Sequence, residues 1–584
     1  MMLRRQLSGM AVAYVRHFKN TRNFEIIFHY CNVTVGIDRI FNFQRNIDET
    51  IDVTLKRIQA NVQKEFIKVS GGKKKKKPKT DPSEKNEMTV TNVQINLVAE
   101  RNDSTTWSNL LKNAGTSDFD SIVLKICEQE FQVVYNYPYV NQVLLPSVIL
   151  TGFQCYPAKF EVFFTERELC SFEWYRGLPT ANKRDSDIIW IKCDGTEFFY
   201  DVQPHDLGHK LKLVCIPKMG DKIGSAVEVI SQNMVQSGPL EDPFKQKHLL
   251  TAKRLTNGQQ FRVVSYNLLA DYYCDSDYSR KELFSYCPAY ALAIDYRKLL
   301  FMREMLGYNA DIYCLQEVDA KVFDLDLSLY LGDDGLDGIM QRKGSNPEGI
   351  ATFYRRDKFD LVDNFGINLN EQMEEKPYFA ELYGKIKKNT KLCERILSLA
   401  TAVQVTVLKS KSRNQYLLIG NTHLYFHPDA DHIRLLQMAF FMLFVKHIHQ
   451  NIMRKFNLDS KQISIVFCGD FNSVPECGIF KLMTEKHVPE NFIDFKSNKD
   501  EAVSGVTLAQ PFNIQSAYGA PKYTNFTVGF AACLDYIFYQ TDSLRVLQVA
   551  PLPTEQQLKA HTAIPSIIFP SDHVSLVADF EWIE

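Results

Sequence analysis

Asp470 and Asn472 follow a mostly apolar, β-branched run over residues 463–468, which predicts a buried strand. Because residues two apart on an extended segment point the same way, the carboxylate and the amide should project together from the strand end. The carboxylate can bind Mg2+ or accept a proton, and the amide can donate to a phosphate oxygen. Residues 469–475 are equally typical of a plain β-turn, so this stretch alone leaves both interpretations open.

Other polar residues lie beside apolar runs in the same C-terminal half, which alternates strand-like and helical segments. They are Asn267, Glu317, His423, Asp535, Asp572 and His573. Any one of them could be the first solvent-exposed residue after a strand, or a histidine held by ordinary hydrogen bonds. Together, each next to a β-run of one region, they favour a shared site.

Six short motifs carry a family resemblance. They are Tyr-Asn at 266–267, Gln-Glu at 316–317, Asn-Thr-His-Leu at 421–424, Gly-Asp-Phe-Asn at 469–472, Leu-Asp-Tyr-Ile-Phe at 534–538 and Ser-Asp-His at 571–573. The series resembles the exonuclease–endonuclease–phosphatase family over residues 256–584. The resemblance implies an α/β four-layered sandwich, in which two packed β-sheets are flanked by helices. The motif wording is most similar to the deadenylase branch and, inside it, to mitochondrial 2′,5′-phosphodiesterases.

The resemblance and the residue chemistry together imply a metal-assisted reaction on a phosphodiester. Mg2+ would be held by Glu317, Asp470, Asn472 and Asp572, with Mn2+ able to substitute, and would neutralise charge on the phosphoryl group. Asp470 would take a proton from the attacking water. A metal-bound hydroxide is the alternative base, and the sequence leaves both open.

The remaining motif residues would act on the phosphate itself. Asn472 would hydrogen-bond the scissile phosphate, and His573 would donate to a phosphoryl oxygen as the transition state forms. By resemblance, Asp535 would orient His573, His423 would contact phosphate, and Asn267 would position the carboxylates.

Two further residues bear on substrate choice. In related deadenylases a proline and a phenylalanine, at positions matching Pro428 and Phe530, sandwich an adenine base. Stacking of this kind is worth about 1–3 kcal/mol. A polar contact from Asn472 or Asn525 would have to separate adenine from guanine. The alternative is that Pro428 is a turn residue and Phe530 belongs to the core.

The composition limits the class of protein. A chain of 584 residues exceeds one core, so two to four domains are expected. A net charge of −1 provides no global field, so a nucleic acid would be attracted by local patches. The 13 cysteines show no metal-ligand spacing and indicate reduced thiols. The apolar stretch 435–445 is too short to span a membrane and predicts a buried helix, so no membrane insertion is expected.

Five regions are predicted along the chain. They are a mitochondrial transit peptide at 1–24, a small segment ending in a lysine-rich linker at 25–87, a β-sandwich at 88–235, a linker at 236–255 and the catalytic domain at 256–584. In the first region Leu3, Leu7, Met10, Tyr14 and Phe18 are spaced by three and four, which predicts an amphipathic helix without acids. An ordinary basic terminus is the alternative.

The β-sandwich has an immunoglobulin-like architecture by prediction. Cys155, Trp174 and Cys215 follow the order of such a core, although no disulfide is expected. No catalytic cluster lies in this region, so its role would be docking, substrate contact or stabilisation.

The sequence therefore predicts a Mg2+-dependent exoribonuclease or phosphodiesterase. It would degrade 2′,5′-linked oligoadenylate and 3′,5′ poly(A) tails of mitochondrial RNA, releasing 5′-AMP in the matrix. A cytoplasmic poly(A) deadenylase is the alternative nearest to it. An abasic-site DNA endonuclease or a lipid phosphatase would use the same residues, and a non-catalytic RNA-binding module needs no such array. RNA is the one partner predicted.

Overall fold

The computed structural model describes residues 11–71, 95–98, 105–112, 114, 119, 121–179 and 185–583. The chain divides into two compact units, Met1–Ile149 with Cys155–Val235, and Leu150–Gln154 with Gln236–Glu584. Among the described residues, no helix combines the length and apolar character needed to cross a membrane.

The first unit contains a six-stranded sheet in the order β3-β2-β1-β6-β5-β4, in which only the β1–β6 pair is parallel. The strands are β1 Ala11–His17, β2 Asn23–Asn32, β3 Ile37–Asn46, β4 Ile95–Val98, β5 Val123–Ile126 and β6 Gln129–Tyr135. Two helices accompany them, α1 Ile51–Gly71 and α2 Trp107–Leu111. Ile58, Val62 and Phe66 of α1 share a core with Phe28 of the sheet.

The helix predicted within residues 1–24 is wrong for residues 11–17, which form the central strand β1. Ala13 and Val15 are buried and alternate with more exposed neighbours, which is the period of a strand. Leu3, Leu7 and Met10 lie outside the described residues. Cleavage at residue 24 would remove the strand that joins the two halves of this sheet.

The predicted boundary at residue 88 also differs from the structure, because β1–β3 and β4–β6 lie on either side of it and share one sheet. The rest of the first unit is β-rich, as predicted. Its strands are β7 Tyr139–Leu144, β8 Gln154–Cys155, β9 Lys159–Phe163, β10 Ser171–Gly177, β11 Trp190–Lys192, β12 Tyr200–Asp201, β13 Lys210–Ile216, β14 Lys218–Met219, β15 Lys222–Ile223 and β16 Val227–Ile230. They form a four-stranded antiparallel sheet, β11-β10-β13-β16, and three two-stranded pairs, so the described residues of 88–235 are divided among several separate sheets.

The second unit contains two six-stranded sheets, ordered β19-β20-β18-β17-β32-β31 and β21-β22-β23-β24-β30-β27. The strands are β17 Gln260–Asn267, β18 Ile312–Asp319, β19 Leu336–Arg342, β20 Glu348–Arg355, β21 Phe359–Asn368, β22 Ala402–Ser410, β23 Tyr416–His423, β24 Ile463–Asp470, β25 His487–Val488, β26 Leu508–Ala509, β27 Ile514–Ser516, β28 Asn525–Phe526, β29 Ala531–Ala532, β30 Asp535–Gln540, β31 Leu544–Val549 and β32 Leu576–Trp582. β25–β26 and β28–β29 are separate hairpins.

Helices connect these strands. They are α3 Lys245–Leu250, α4 Asp271–Cys274, α5 Ala289–Leu292, α6 Ile294–Leu306, α7 Ala320–Val322, α8 Ser328–Asp333, α9 Leu369–Gln372, α10 Ala380–Ile386, α11 Thr390–Ser398, α12 Asp431–Phe456, α13 Gly478–Glu485 and α14 Glu555–Leu558. The longest, α12, is the buried helix that the apolar stretch at 435–445 predicted.

The two sheets pack face to face, and alternation along β24 shows how. Val466 and Cys468 join Val263 and Cys314 of the first sheet in one core. Phe467, which points the other way, packs instead in the core that contains α12. β24 is therefore buried on both faces, which explains its continuous apolar run.

The predicted linker at 236–255 is partly built into the second unit. Lys247 of α3 is buried, and its Nζ donates to the carbonyl oxygen and Oγ of Ser575 at 2.7 and 2.8 Å. Burial lowers the pKa of Lys247 to about 8. α3 is thus part of the folded unit that contains the site.

Candidate active site

One edge of the second unit brings the predicted residues together. Asn267, His423 and Asp470 end β17, β23 and β24, and Asp535 begins β30. β23 and β24 run parallel with His423 opposite Asp470, and β24 and β30 run antiparallel with Asp470 opposite Asp535. The strand ends therefore converge, as the sequence pattern predicted.

Asn267 joins the carboxylates of the two sheets. Its Nδ2 donates to Glu317 Oε1 and to Asp470 Oδ2, both at 3.0 Å. Its Oδ1 accepts from the backbone N–H of Leu269, and the residue is fully buried. Both amide protons of Asn267 are thus donated to acids, which fixes the distance between the two carboxylates.

Glu317 lies in a β-bulge of β18. Its φ is +50°, and the pairing with β20 shifts register between Leu315 and Val318. A bulge of this kind re-aims a side chain, at a cost of about 1–3 kcal/mol for the left-handed backbone. Oε2 accepts from the N–H of Ala270 at 2.9 Å. Burial, and then the charge of Asp572, raise the pKa of Glu317 to about 7.

His573 is held between two aspartates. Its Nδ1 donates to Asp535 Oδ2 at 2.8 Å, and its Nε2 lies 3.5 Å from Asp470 Oδ2. Burial acts to lower the pKa of His573, but Asp535, Asp470 and Asp572 outweigh it and raise the pKa well above its ordinary value. Burial raises the pKa of Asp470 to about 7, against the opposing charge of His573. His573 is therefore protonated and able to donate through Nε2.

His423 completes the cluster in a different protonation state. Its Nε2 lies 3.5 Å from Asp470 Oδ2 and 3.9 Å from Glu317 Oε1. Burial lowers its pKa well below the ordinary value, so the ring is neutral. Its Nδ1 is buried without a hydrogen-bond partner in the described part of the chain. The ring nitrogen that faces the acids of the cluster is therefore Nε2.

Asn472 and Asn525 contact protein groups beside the cluster. Asn472 has φ +49°, and its Nδ2 donates to the carbonyl oxygen of Leu424 at 2.9 Å. One amide proton of Asn472 therefore remains for a phosphate. Asn525 donates from Nδ2 to Asp572 Oδ2 at 3.3 Å, which places it beside the acids.

Pro428 and Phe530 both lie on exposed segments. Pro428 is exposed in the loop between β23 and α12. Phe530 is 50% exposed near the tip of the β28–β29 hairpin, where its N–H donates to Thr527 Oγ1 at 3.0 Å. Phe530 is therefore no core residue, which removes the structural alternative considered for it.

Sequence reasoning missed two residues that support the site residues, namely Ser571 and Glu348. Ser571 Oγ donates to the carbonyl oxygen of Asn267 at 2.7 Å and accepts from the N–H of His573. Glu348 is buried, accepts from Tyr273 Oη at 2.9 Å and contributes to the raised pKa of Glu317. Ser571 lies inside a quoted motif and could have been found. A lone acid at the start of a strand carries no comparable signal.

The donor set fits a hard divalent cation. Among the described residues, one group has ligand atoms close enough to share an ion, namely Asp470, Asp535 and His573 within 4.8 Å. Asp470 is buried and Glu317 is 12% exposed, and the two carboxylates share one amide donor and have raised pKa values. A cation would offset their charge, and carboxylate oxygens are the ligands Mg2+ takes. Protonated His573 is the least suited to act as a ligand.

Comparison with known proteins identifies the family of this chain. Residues 264–573 match the endonuclease/exonuclease/phosphatase family, and residues 137–236 match the N-terminal domain of 2′,5′-phosphodiesterase 12-like proteins. The chain is 35% identical to 2′,5′-phosphodiesterase 12 of Rattus norvegicus, over 93% of this chain and 90% of that protein. It is 27% identical to the CCR4-Not complex 3′-5′-exoribonuclease subunit Ccr4 of Mycosarcoma maydis, over 55% of this chain and 50% of that protein.

Among solved structures, ANGEL2, a 2′,3′-cyclic phosphatase, in complex with adenosine-2′,3′-vanadate is similar with a TM-score of 0.45 and 23% identity, covering 55% of this chain and 96% of that chain. The resemblance read from the motifs is confirmed by the family match and by the relative that covers nearly the whole chain. The chain is a hydrolytic enzyme and belongs to the endonuclease/exonuclease/phosphatase family.

Proposed function

We propose that this protein is a Mg2+-dependent phosphodiesterase that removes adenylates from the end of RNA and releases 5′-AMP. The observation that supports the proposal most is that Asn267 holds two acids together beside a histidine. Glu317 and Asp470 both accept from the side-chain amide of Asn267, while protonated His573 faces Asp470. Metal affinity, a base and a proton donor thus lie within one cluster.

The residues divide the chemistry of in-line hydrolysis between them. Asp470 has a pKa of about 7, so it can accept a proton from the attacking water near neutral pH. His573 donates to a phosphoryl oxygen as charge develops there, and Asp535 fixes the ring through Nδ1. The second amide proton of Asn472, and Nε2 of His423 beside Asp470, serve as further contacts for the phosphate.

Glu317, Asp470 and Asp572 would hold the cation, with Mn2+ able to replace Mg2+. When bound, the ion supplies Lewis-acid neutralisation of charge on the phosphoryl oxygens. Asn472 would bind the cation through its side-chain oxygen, because its Nδ2 donates to the carbonyl oxygen of Leu424. Asn267 sets the separation of the Glu317 and Asp470 carboxylates both with and without the cation.

The proposed substrates are 2′,5′-linked oligoadenylate and 3′,5′ poly(A) tails. The relative that covers most of the chain is named as a 2′,5′-phosphodiesterase, and the Ccr4 relative as a 3′-5′-exoribonuclease. Pro428 and half-exposed Phe530 would stack on the terminal adenine.

We also propose the four-layered fold that the family resemblance implies. Helices covering the outer face of the sheet β19-β20-β18-β17-β32-β31 would complete its four layers.

The proposed compartment is the mitochondrial matrix, with the cytoplasm as the alternative. Support comes from the basic start of the chain, which includes Arg4 and Arg5 and no acid before residue 25. Because β1 begins at Ala11, a removable segment should end before it. A fusion of residues 1–40 to a fluorescent reporter should enter mitochondria, and a diffuse cytosolic signal would contradict the proposal.

Product analysis tests the activity. The purified protein should release 5′-AMP from 2′,5′ and 3′,5′ oligoadenylates in Mg2+, and EDTA should stop the reaction. Glu317→Ala and Asp470→Asn should abolish it. Asp360→Asn is the matched control, since Asp360 is an exposed carboxylate in an ion pair with Lys411. Retained turnover in Glu317→Ala at saturating Mg2+ would refute the metal assignment, and cleavage of abasic duplex alone would refute the substrate.

A further inference from the structure

The loop over residues 424–430 links His423 at the end of β23 to helix α12. Phe426 is 67% exposed at its centre, and Pro428 is exposed beside it. Leu424 and Ala430 at the two ends of the loop are buried, whereas the exposed stretch 426–428 between them is expected to open more easily. Stacking a base against Pro428 nevertheless requires a fixed backbone, so the contacts that fix this loop bear directly on the substrate.

The guanidinium of Arg395 on α11 donates hydrogen bonds to two carboxylates. Its Nη2 donates to Asp429 Oδ1 at 2.8 Å, and its Nη1 donates to Glu501 Oε2 at 2.8 Å. Each acid also binds a histidine, because His427 Nδ1 contacts Asp429 and His432 Nε2 lies 2.8 Å from Glu501. The guanidinium thus connects three segments that are distant in sequence.

Asp429 directly follows Pro428 and is the anchor of the loop. Hydrogen bonding to Arg395 lowers the pKa of Asp429 to about 2, so the carboxylate stays ionised at neutral pH. Asn498 Nδ2 also donates to Asp429 Oδ2 at 3.3 Å, and the Ser497 hydroxyl donates to its carbonyl oxygen at 3.4 Å. The residue after the stacking proline is therefore held at both its side chain and its backbone.

Arg395 also lies under the start of the loop, with its guanidinium carbon 5.6 Å from the centre of the Tyr425 ring. Its side chain is only 20% exposed, and that of Glu501 is 13% exposed. A planar fork that binds two partly buried acids is not reproduced by lysine, which offers a single charged centre. None of these contacts involves Glu317, Asp470 or His573.

We propose that Arg395 is a positioning residue for base recognition, which holds Pro428 in place through Asp429. The inference rests on the proposed function, because it assumes that Pro428 contacts the terminal base. Loss of Arg395 should loosen the loop and leave the carboxylate–histidine cluster in place. The effect should fall on the preference for adenylate over uridylate, since the larger purine face gains more from stacking.

The test compares kcat/KM on oligoadenylate and oligouridylate for the full-length protein. Arg395→Met should lower the value for oligoadenylate by about 10-fold and that for oligouridylate by about 2-fold, mainly through KM. Arg395→Lys should be intermediate. Lys391→Met is the matched control, because Lys391 lies on the same helix in an exposed ion pair with Asp500 and should change neither value.

A second measurement keeps the test independent of turnover. Backbone hydrogen exchange at residues 425–430 should quicken in Arg395→Met and not in Lys391→Met. If Arg395→Met fails to fold, Asp429→Asn removes the same charge pair and should give the same loss of base preference. An unchanged adenylate preference, or an equal fall on both substrates, would overturn this inference alone. A wild-type protein inactive on both oligonucleotides would overturn the proposed function.

Discussion

Replacing Glu317 with glutamine separates the charge of this residue from its shape. Burial and Asp572 raise the pKa of Glu317 from 4.5 to about 7. The folded metal-free protein therefore binds more protons than the unfolded chain between these pH values, and ionised Glu317 lowers stability as pH rises through them. A shift of this size corresponds to about 3 kcal/mol above pH 7.

Glutamine removes that destabilisation but loses one hydrogen bond. Glu317 accepts from Asn267 Nδ2 and from the N–H of Ala270, and the NH2 of a glutamine can face neither donor favourably. The lost bond costs about 1–2 kcal/mol. At pH 8 in EDTA, Glu317→Gln should thus be more stable than wild type by about 1–2 kcal/mol, while hydrolysis falls at least about 10²–10³-fold.

Chemical denaturation at pH 8, with EDTA and then with Mg2+, measures both effects. Mg2+ should stabilise the wild type and should have little effect on Glu317→Gln. Asp494→Asn is the control, because burial raises the pKa of Asp494 to about 6 at a position that binds the N–H of Gly478. Its response to Mg2+ should match wild type. A metal-free Glu317→Gln less stable than wild type, or equally stabilised by Mg2+, would refute the reasoning.

Three further outcomes are expected. Phe530→Ala should lower kcat/KM on oligoadenylate by about 10–100-fold and on oligouridylate much less, and equal falls would withdraw the stacking role. Asp535→Asn should lower kcat by about 10²–10³-fold and move the alkaline limb of the pH–rate profile to lower pH, because it removes a charge that keeps His573 protonated; an unmoved limb would contradict this. Burial lowers the pKa of His449 to about 4, so the unfolded chain binds the extra proton and stability should be lost as pH falls below 6.5. Going from pH 7 to 5 should thus cost wild type about 2 kcal/mol more than His449→Leu, as measured by denaturation at both pH values.

The sequence predicted the position of a candidate residue where residue type and strand end coincide. Asn267, His423 and Asp470 each end a strand whose apolar run is visible in the sequence, and the sheet pairing then brings them together. The left-handed backbone conformation of Glu317 could not be predicted in this way, because a glutamate carries no preference for φ +50°. That conformation is imposed by the register of β18 against β20.

The error at the start of the chain has a different cause. Tyr14 and Phe18 fit a helical spacing, whereas Ala13 and Val15 fit a strand, and seven residues cannot separate the two periods by themselves. β1 pairs antiparallel with β2, the next strand in the chain, and in parallel with β6, more than one hundred residues later. The pairing with β6 leaves no local signal, so part of what makes β1 a strand lies outside the local pattern.

The site is divided between the sheets, and this makes the core beneath it part of the catalytic apparatus. Asn267 and Glu317 come from the first sheet, and Asp470 comes from the second. Their separation is set by the layer in which Val263 and Cys314 meet Cys468. The 3.0 Å bond from Asn267 Nδ2 to Asp470 Oδ2 spans that gap and weakens steeply if it widens. Because a well-packed core responds to a change of one methylene group by shifting its neighbours, a volume change in this layer should reduce activity before it unfolds the protein.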